Sequence, residues 1–534
     1  MSEAVMSEAV EMSSGSHSTL IKTLTGILGH DNIITDEAER SYYSQDVYNQ
    51  GPAVLAVLQP DTIEKLSQVI AAATSQGVAV FPRGGGFSYT DGYIPTTSNS
   101  VTIDTRKLNR IVEINTEDMY VTVEAGCTWA ALEDALSDKG VRPVFWGPFS
   151  GLNATVGGSM SQGSLTYGSS KWGPSGVAAE GMKVVVSDGS IVTTGSAGQP
   201  NHSPFFRHYG PDLTGLFCND AGALGIKAEI SLRLQRRLPV VMGLSYAFES
   251  FDGLHKGMAA AAREGLPTEA FGFDTTVMKV FTGGQGLAQD LKTLWAVGIA
   301  GRNIFAGAWQ MLKIALAGKR FIDKSNYTAH FICEARDMRE MKSHLKGLRT
   351  AVAPYGNEIV NTVPAVVRAY PFPPFSLLGT AGERWVPLHG ILPFSRVAEF
   401  QEKLEALHAR YQDQMDRHKV ITASMFTTLA TNAFLYEPVF YWEDAREPFH
   451  DRHTDPEMLK TLTDFPINME GRALVEEMKK GVIDCFYSCG GTHMQIGKVY
   501  PYTRERDAGA LALVKTLKAH VDPKGLMNPG ALGL

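Results

Sequence analysis

The sequence has few cysteines and no surplus of positive charge. Its five cysteines are odd in number and mostly far apart, so they show neither a disulfide framework nor the spacing of a zinc site. The formal net charge of −7 argues against a nucleic-acid-binding protein, which normally carries a basic surplus or a basic domain. We therefore expect no nucleic-acid partner, no metal centre and a reducing cytoplasm as the compartment.

The sequence also lacks an apolar run that could cross a membrane. Residues 291–321 are strongly apolar, but Arg302 and Lys313 interrupt the run well short of the roughly 20 apolar residues that a spanning helix needs. The cations and aromatics of this segment suit four roles: contact with the inner membrane surface, a gate for an apolar substrate, an oligomer contact such as a homodimer interface, or plain core. Residues 1–18 have no basic region ahead of an apolar core, so they do not resemble a secretory signal.

The length and patterning predict several domains of the α+β class. A chain of 534 residues is too long for one ordinary core. Short strands alternate with helices in the first half, beginning with a strand–helix–strand–loop unit over residues 53–86. Glycine becomes rarer after Arg237. We predict one domain over residues 1–235, a second over 236–485 that overlies it, and a segment over 486–534 that returns to the first.

Two glycine-rich segments stand out in the first domain. Arg83–Ser88 follows the predicted strand VAVF and offers several backbone N–H groups with little side-chain bulk, a pattern that suits a bound pyrophosphate or a tight turn. It is neither a Walker loop nor a GxGxxG fingerprint, which excludes a Rossmann-type site. The second segment, residues 147–176, combines glycines with many hydroxyl side chains, and can either wrap a large planar ligand or form structural loops.

Four motifs in order carry a family resemblance: PRGGGFSYTDG, GLNATVGGSMSQGS, CNDAGALGIKAEISLRL and DPKGLMNPGAL. This order resembles the vanillyl-alcohol oxidase and p-cresol methylhydroxylase (PCMH-type) superfamily of FAD-binding flavoproteins. The resemblance implies a two-subdomain FAD-binding domain, an α+β cap domain that holds the substrate, and FAD as the cofactor. The cofactor-binding residues that it implies are Arg83, Gly84, Gly85, Gly86, Phe87, Ser88, Thr155, Gly157, Gly158, Ser159, Gly163, Gly168, Gly222, Ile226 and Asn528.

The same resemblance bears on covalent attachment of the flavin. Members of the family that anchor FAD through the first glycine loop have a histidine where this chain has Phe87, so that route is closed. Others use a histidine of the cap, and His389 in WVPLHGILPFS is similar to that anchoring position. A hydrogen-bonded histidine at the start of a strand explains His389 equally well, and both interpretations stay open.

A histidine near the C-terminus is the first candidate for acid–base chemistry. His493 lies in CGGTHMQIGKVYPYTRE, which is similar to the histidine–glycine segment of the hydroxyacid dehydrogenase and alkyl-dihydroxyacetonephosphate synthase branches. Histidine titrates near neutrality, so His493 can take the proton of a substrate hydroxyl while a hydride moves to the flavin, or it can simply cap a loop. Met494 and Gln495 depart from the family pattern. Gly490 and Gly491 stand where phenol-oxidising members have a Tyr–Arg pair, which puts a phenol substrate in doubt.

An aromatic strand and three cations complete the candidate set. Tyr436 and Tyr441 lie in NAFLYEPVFYW, which reads either as a core strand or as a cap strand that presents hydroxyls to the flavin. The cations that either bind a substrate carboxylate or belong to the solvated surface are Arg384, Lys498 and Arg504.

These residues predict an FAD-dependent oxidase or dehydrogenase. The expected substrate is a small molecule, a mainly apolar alcohol or 2-hydroxy acid, which loses hydride from its hydroxyl-bearing carbon, with the catalytic candidates His493, Tyr436, Tyr441 and His389. Three alternatives remain at this point: a synthase-like flavin transferase that exchanges an acyl for an alkyl group, an oxidase of para-substituted phenols, and a flavin-binding interaction protein whose catalytic site has decayed.

Overall fold

The first sheet of the protein carries the first glycine loop. The computed structural model describes residues 17–277, 326–374 and 377–534. The first sheet has the strand order β1-β2-β4-β3, with β2, β4 and β3 parallel. Thr62 caps the helix that covers it by accepting a hydrogen bond from the Lys65 N–H. The elements of this part are α1 (residues 17–28), β1 (Ile33–Ile34), α2 (Glu37–Tyr43), β2 (Ala56–Leu58), α3 (Ile63–Ser75), β3 (Ala79–Arg83) and β4 (Ser100–Asp104).

The second sheet is antiparallel and carries the second glycine-rich segment between its strands. Its path is β5-β6-β10-β8-β9, and β7 pairs with the far end of β10. The tripeptide DGS, residues 188–190, joins two antiparallel strands, β8 and β9. The elements are β5 (Ile111–Asn115), β6 (Tyr120–Glu124), α4 (Trp129–Ser137), β7 (Val141–Pro143), α5 (Val156–Gln162), α6 (Ser169–Trp172), β8 (Ala179–Val185), β9 (Ile191–Thr193), α7 (Leu213–Leu216) and β10 (Ile226–Arg236).

An eight-stranded third sheet forms the remainder of the described chain. Seven strands follow the order β14-β11-β13-β12-β17-β18-β15, and β16 also pairs with β18. Its strands are β11 (Val240–Phe248), β12 (Glu269–Asp274), β13 (Tyr327–Ala335), β14 (Asn357–Ile359), β15 (Arg384–Pro387), β16 (Gly390–Pro393), β17 (Val420–Leu429) and β18 (Ala433–Trp442). The helices are α8 (Phe251–Arg263), α9 (Met338–Val352), α10 (Thr362–Ala369), α11 (Val397–His418), α12 (Pro448–His453), α13 (Pro456–Leu459), α14 (Met469–Ser488) and α15 (Ala508–Val521).

The last residues of the chain lie on the first sheet. The Val80 N–H donates to the carbonyl of Leu526, and the Asn528 N–H donates to the carbonyl of Val80, each at 2.8 Å. Residues 522–534 form turns and one short 3-10 helix, as their proline and glycine content predicts. The predicted α+β class is therefore confirmed, with two sheets in the first half of the chain and a separate sheet after it. The exact domain limits stay a prediction.

Two further expectations concern membranes. Within the described ranges, no helix combines the length and the apolar character needed to cross a bilayer. Residues 291–321, for which membrane contact, a substrate gate, an oligomer contact and plain core all stay open, lie outside the described residues.

A buried cluster of charges joins the second sheet to the third. Arg142 of β7 donates to Glu334 of β13 at 2.5 Å, and Arg368 of α10 donates to both Glu334 and Glu269. The guanidinium groups of Arg142 and Arg368 lie 4.8 and 5.0 Å from the ring of Trp146. Since the two arginines share one carboxylate, Glu334 neutralises charges that come from both sides of the contact, and both cations hold its pKa below the ordinary value.

We predict that Glu334→Gln destabilises the protein by about 3–5 kcal/mol, because it leaves two buried guanidinium groups without their shared counter-ion. Urea denaturation followed by tryptophan fluorescence measures the change. The matched control is Glu358→Gln, which breaks the exposed pair between Arg349 and Glu358 and is expected to cost about 0–1 kcal/mol. Equal effects of the two substitutions would contradict a special role for the buried cluster.

Candidate functional site

The two glycine-rich segments meet at a contact that only glycine permits. A Cβ atom added to Gly84 would lie 2.5 Å from Thr155 Oγ1, and one added to Gly85 would collide with the carbonyl group of Asn153. Gly86 has a φ of +83°, which side-chain-bearing residues rarely adopt. The first loop therefore lies directly against the backbone at the start of α5.

The first loop also carries donors that the described residues do not satisfy. None of the described residues accepts a hydrogen bond from the backbone N–H groups of residues 84–88. Arg83 is fully buried, and its guanidinium has no hydrogen-bond partner within the described ranges. It lies among the rings of Tyr42, Tyr43 and Tyr93, at 5.3, 4.6 and 5.3 Å. Adjacent free N–H donors beside a buried cation suit a bound anion, so these residues fit a pyrophosphate.

The second segment continues the same surface along α5. Thr155 caps α5 by accepting from the Gly158 N–H at 3.2 Å, and Gly163 ends the helix at a φ of +77°. Ser159 Oγ accepts from Trp129 Nε1 at 2.8 Å, which fixes α5 to the start of α4. The hydroxyls and glycines of this helix therefore occupy a set position beside the first loop.

A third segment, residues 219–226, lies against the end of α5. The Asn219 and Ala221 N–H groups donate to carbonyls of α5 at 2.9 and 2.8 Å. Gly222, at a φ of +76°, leads into Ile226 at the start of β10. Gly168 differs from the other predicted cofactor residues, because its N–H donates to Glu269 of the third sheet at 3.2 Å. Gly168 thus lies at the contact between the sheets.

Asn528 ties these segments together. Its side-chain amide donates to the carbonyl of Gly92 at 2.7 Å and to that of Ala221 at 2.5 Å. Lys498 donates to Asn528 Oδ1 at 2.8 Å and to the carbonyl of Asp91 at 2.9 Å, while burial lowers the pKa of this lysine to about 8. Lys498 therefore holds the loop in place, a role that the sequence did not separate from carboxylate binding.

His493 lies beside these segments, and one nitrogen of its ring is already hydrogen-bonded. Its Nδ1 is 2.6 Å from the carbonyl oxygen of His389, and its ring stacks on Tyr500 at 4.1 Å. A carbonyl only accepts hydrogen bonds, so Nδ1 carries the proton and Nε2 has the free lone pair. Burial lowers the pKa of His493 to about 4, which keeps the imidazole neutral at neutral pH.

The structure brings His389 to the same place. The His389 N–H donates to the hydroxyl of Tyr500 at 2.7 Å, and its Nε2 lies 3.0 Å from the hydroxyl of Tyr89 and 3.5 Å from Glu437. Tyr89 directly follows Ser88 of the first glycine loop, so His389 links the third sheet to the end of that loop. These hydrogen bonds agree with the interpretation of His389 as a hydrogen-bonded histidine at the start of a strand. Covalent attachment of the flavin through His389 stays a prediction.

The two tyrosines of β18 differ in their surroundings. Tyr436 is buried in the core of the third sheet, where its hydroxyl donates to Gln401 at 2.5 Å, which favours a structural role. Tyr441 lies with Phe87 and Tyr89 in an apolar cluster beside the first loop. Burial raises the pKa of both tyrosine hydroxyls, so each is protonated at neutral pH.

Sequence reasoning missed Tyr89, Tyr500 and Glu437, which complete the cluster around His389. Tyr89 stood inside a motif that was already singled out, but its partner is 300 positions away in the sequence. Of the predicted cations, Arg504 is half-exposed and pairs with Asp484 at 2.6 Å. Arg384 is buried beside Asp444 and Glu447, and it donates to the carbonyls of Tyr48 and Ala445.

Two family models match the chain. The FAD binding domain model covers residues 54–195, which include both glycine-rich segments. The model of the C-terminal domain of FAD linked oxidases covers residues 464–532, which include His493 and Asn528. The cofactor expected from the sequence, FAD, is thereby confirmed.

Named relatives share part of their length with this chain. A D-2-hydroxyglutarate dehydrogenase from Xanthomonas citri pv. viticola is 30% identical over 244 residues, which are 45% of this chain and 49% of that protein. A mitochondrial D-lactate dehydrogenase (cytochrome) from Arabidopsis thaliana is 30% identical over 223 residues, 41% of this chain and 37% of that protein. The chain thus matches about half or less of the length of these relatives.

Solved structures share the fold over nearly the whole chain. p-Cresol methylhydroxylase with substrate bound has a TM-score of 0.72 at 17% identity, covering 97% of both chains. An alkyldihydroxyacetonephosphate synthase has a TM-score of 0.68 at 16% identity, covering 96% of this chain and 84% of that one. At these identities the likeness establishes the arrangement of a two-subdomain FAD-binding domain and a cap. The FAD binding domain model and the model of the C-terminal domain of FAD linked oxidases both lie on this shared fold, which agrees with the resemblance that the sequence motifs carry.

Proposed function

We propose that the protein is an FAD-dependent oxidoreductase that removes hydride from the hydroxyl-bearing carbon of an alcohol or a 2-hydroxy acid. The observation that carries this proposal is the state of His493. It is a neutral imidazole with Nδ1–H fixed on a carbonyl and Nε2 free to accept a proton, within the segment that ties the chain to the FAD loops.

The arrangement of these residues supports the oxidation of an alcohol. FAD, when bound, accepts the hydride. Residues 83–88 would hold the pyrophosphate, and α5 with residues 219–226 would hold the rest of the cofactor. His493 Nε2 takes the hydroxyl proton, a general-base contribution typically of about 10²–10⁴ in rate. Tyr500, stacked on His493, keeps the ring in one orientation and limits its contact with water.

The substrate class rests on two lines of support. The relatives named D-2-hydroxyglutarate dehydrogenase, D-lactate dehydrogenase (cytochrome) and glycolate oxidase subunit GlcD all carry a 2-hydroxy acid in their names. Gly490 and Gly491 carry no side chain that could bind a phenolate, which speaks against the phenol alternative.

The proposal is tested by mixing the FAD-loaded protein without oxygen with D-lactate, D-2-hydroxyglutarate, glycolate, a long-chain alcohol and p-cresol. Bleaching of the flavin by a hydroxy acid or an alcohol is expected. Bleaching by p-cresol alone would favour the phenol oxidase. Persistent colour together with exchange of an acyl for an alkyl group would favour the synthase, whose fold this chain shares. A flavin that no compound reduces would favour the decayed site.

We predict that His493→Gln lowers the rate of flavin bleaching by about 10²–10⁴, because the amide cannot accept the substrate proton. FAD content is expected to stay unchanged. The exposed His520→Gln is the matched control and should leave the rate within twofold. If the flavin of the His493→Gln protein bleached at the wild-type rate, the assignment of His493 as the base would be wrong.

We predict that the acid limb of kcat/KM lies near pH 4 instead of near 6.5. Burial lowers the pKa of His493 to about 4, so the base form persists until the pH falls through that value, and activity is lost below it. A pH profile measured by stopped-flow flavin bleaching shows the limb. If kcat/KM instead fell with a midpoint near pH 6.5, the base would be an exposed histidine and not the buried His493.

We predict that Gly85→Val weakens FAD binding roughly ten- to a hundredfold, the equivalent of about 1–3 kcal/mol of steric cost. The added Cβ collides with the carbonyl group of Asn153, so the loop must move off α5. Retention of FAD after gel filtration, read from visible absorbance, measures the effect. Gly26→Ala has open space around it and serves as the control. Normal FAD retention in Gly85→Val would show that this contact does not shape the site.

A further inference from the structure

Glu437 is a carboxylate on the face of the third sheet that meets the first glycine loop. Successive side chains of β18 point to opposite faces of the sheet, and Tyr436 is buried in the core on one of them. Glu437 therefore lies on the other face, together with Tyr441, which packs beside Phe87 of the loop. The Glu437 side chain is 17% exposed, so another molecule can reach part of it.

The neighbours of Glu437 on this face are apolar. Met425 of β17 stands directly opposite Glu437 across the strands, and Phe273 of β12 stands opposite Met425, so these three side chains share one face. Met425, Phe273 and Tyr441 all pack on the apolar cluster beside the first loop. A carboxylate among such neighbours has lost part of its hydration, which is costly unless a donor or a cation replaces the water.

The partner that the described residues offer to Glu437 is His389. The Nε2 atom of His389 lies 3.5 Å from Glu437 Oε1, but it lies closer, at 3.0 Å, to the hydroxyl of Tyr89. A ring nitrogen carries either one hydrogen or one lone pair, so it cannot fully serve both oxygens. No lysine or arginine of the described ranges pairs with Glu437. The negative charge on this face is therefore incompletely balanced.

His389 also connects Glu437 to the proposed base. The carbonyl of His389 accepts from His493 Nδ1 at 2.6 Å, while its ring contacts Glu437. A single residue thus touches both the proposed base and the carboxylate, which makes Glu437 part of the same site.

The three cations that the sequence offered for a substrate carboxylate have other partners. None of them forms a hydrogen bond or an ion pair with His389 or His493. The pairs they do form join Arg384 to Glu447 and Asp444, Arg504 to Asp484, and Lys498 to Asn528. Among the described residues, the charge that this site presents to a substrate is therefore negative.

We propose that Glu437 selects the substrate by charge, excluding a carboxylate and binding a protonated amine carried next to the oxidised carbon. This proposal rests on the proposed function and narrows its substrate class to amino alcohols. Like charges in a poorly hydrated site repel strongly, because the effective dielectric constant is well below that of water. An ammonium group is attracted both by the carboxylate and by the faces of aromatic rings such as those on this side of the sheet.

Three compounds that differ in one substituent test the proposal. Mandelate, 1-phenylethanol and 2-amino-1-phenylethanol share a benzylic alcohol carbon, which carries a carboxylate, a methyl group or an ammoniomethyl group. Calorimetric titration uses the FAD-loaded protein with its flavin chemically reduced, so that the compounds bind without being oxidised. We expect the amino alcohol to bind at least about tenfold more tightly than mandelate, with 1-phenylethanol between them. Mandelate binding as tightly as 1-phenylethanol, or more tightly, would overturn the proposal.

Bleaching of the oxidised flavin separates this proposal from the proposed function. Bleaching by the amino alcohol in preference to mandelate supports both. Bleaching by mandelate alone leaves the proposed function standing and contradicts the role of Glu437. If none of the three compounds or the other alcohols and hydroxy acids bleaches the flavin, the proposed function fails, while the order of the calorimetric affinities still decides whether Glu437 selects by charge.

Three variants locate the selectivity. Glu437→Gln keeps the size of the side chain but removes its charge, so the three affinities should become equal within about twofold. Met425→Lys, which places an ammonium group directly opposite Glu437, should remove the preference in the same way and serves if Glu437→Gln does not fold. Glu443→Gln changes an exposed carboxylate just after β18 and should keep the wild-type order. A wild-type order that persisted in Glu437→Gln or in Met425→Lys would overturn the proposal.

Discussion

The close approach of two backbones, the first glycine loop and the start of α5, is the constraint on which the rest of the structure depends. Side chains at positions 84 and 85 would collide with Thr155 and Asn153, so the contact forms only with glycine. It leaves a row of N–H groups without acceptors among the described residues, next to the buried Arg83. Such an arrangement is costly in an empty protein and favourable around an anion, which fits the pyrophosphate that the family resemblance implies for this loop.

The return of the chain to the first sheet follows from the same constraint. A glycine loop has little side-chain packing of its own, and here its far end is held by Asn528 and Lys498, which bond to carbonyls of residues 91 and 92. The Gln495 and Lys498 N–H groups donate to the carbonyls of Gln162 and Thr90. The segment that carries His493 is thus fastened to both glycine-rich segments, which places the proposed base by the same bonds that hold the cofactor loop.

The parts of the fold that the sequence predicted are those with local causes. Glycines that need close approach or positive φ, the β3 and β18 strands, and the turns after α15 all follow from short-range patterns. The cluster around His389 does not. Tyr89 and Tyr500 contact His389 from positions 300 residues before it and 111 after it. Tyr436 and Tyr441 looked alike in the sequence. Only the packing of the third sheet shows that the Tyr436 hydroxyl lies in the core and that Tyr441 lies beside the first loop. Arg384 was singled out as a cation, but its burial beside Asp444 and Glu447 appears only in three dimensions.

The chemistry of His493 depends on burial and not on a charge partner. A histidine paired with a carboxylate gains protons more easily, since the charge favours the imidazolium form, whereas His493 is oriented by a neutral carbonyl and desolvated by its surroundings. Its Nε2 is therefore unprotonated over a wide pH range, and no acid needs to lose a proton before it can act. The low pKa also makes His493 a weaker base. This is acceptable only if the proton and the hydride leave the substrate together, because no separated charges then form on the substrate. A buried neutral histidine beside an FAD site thus suits coupled removal of a proton and a hydride better than formation of a free alkoxide.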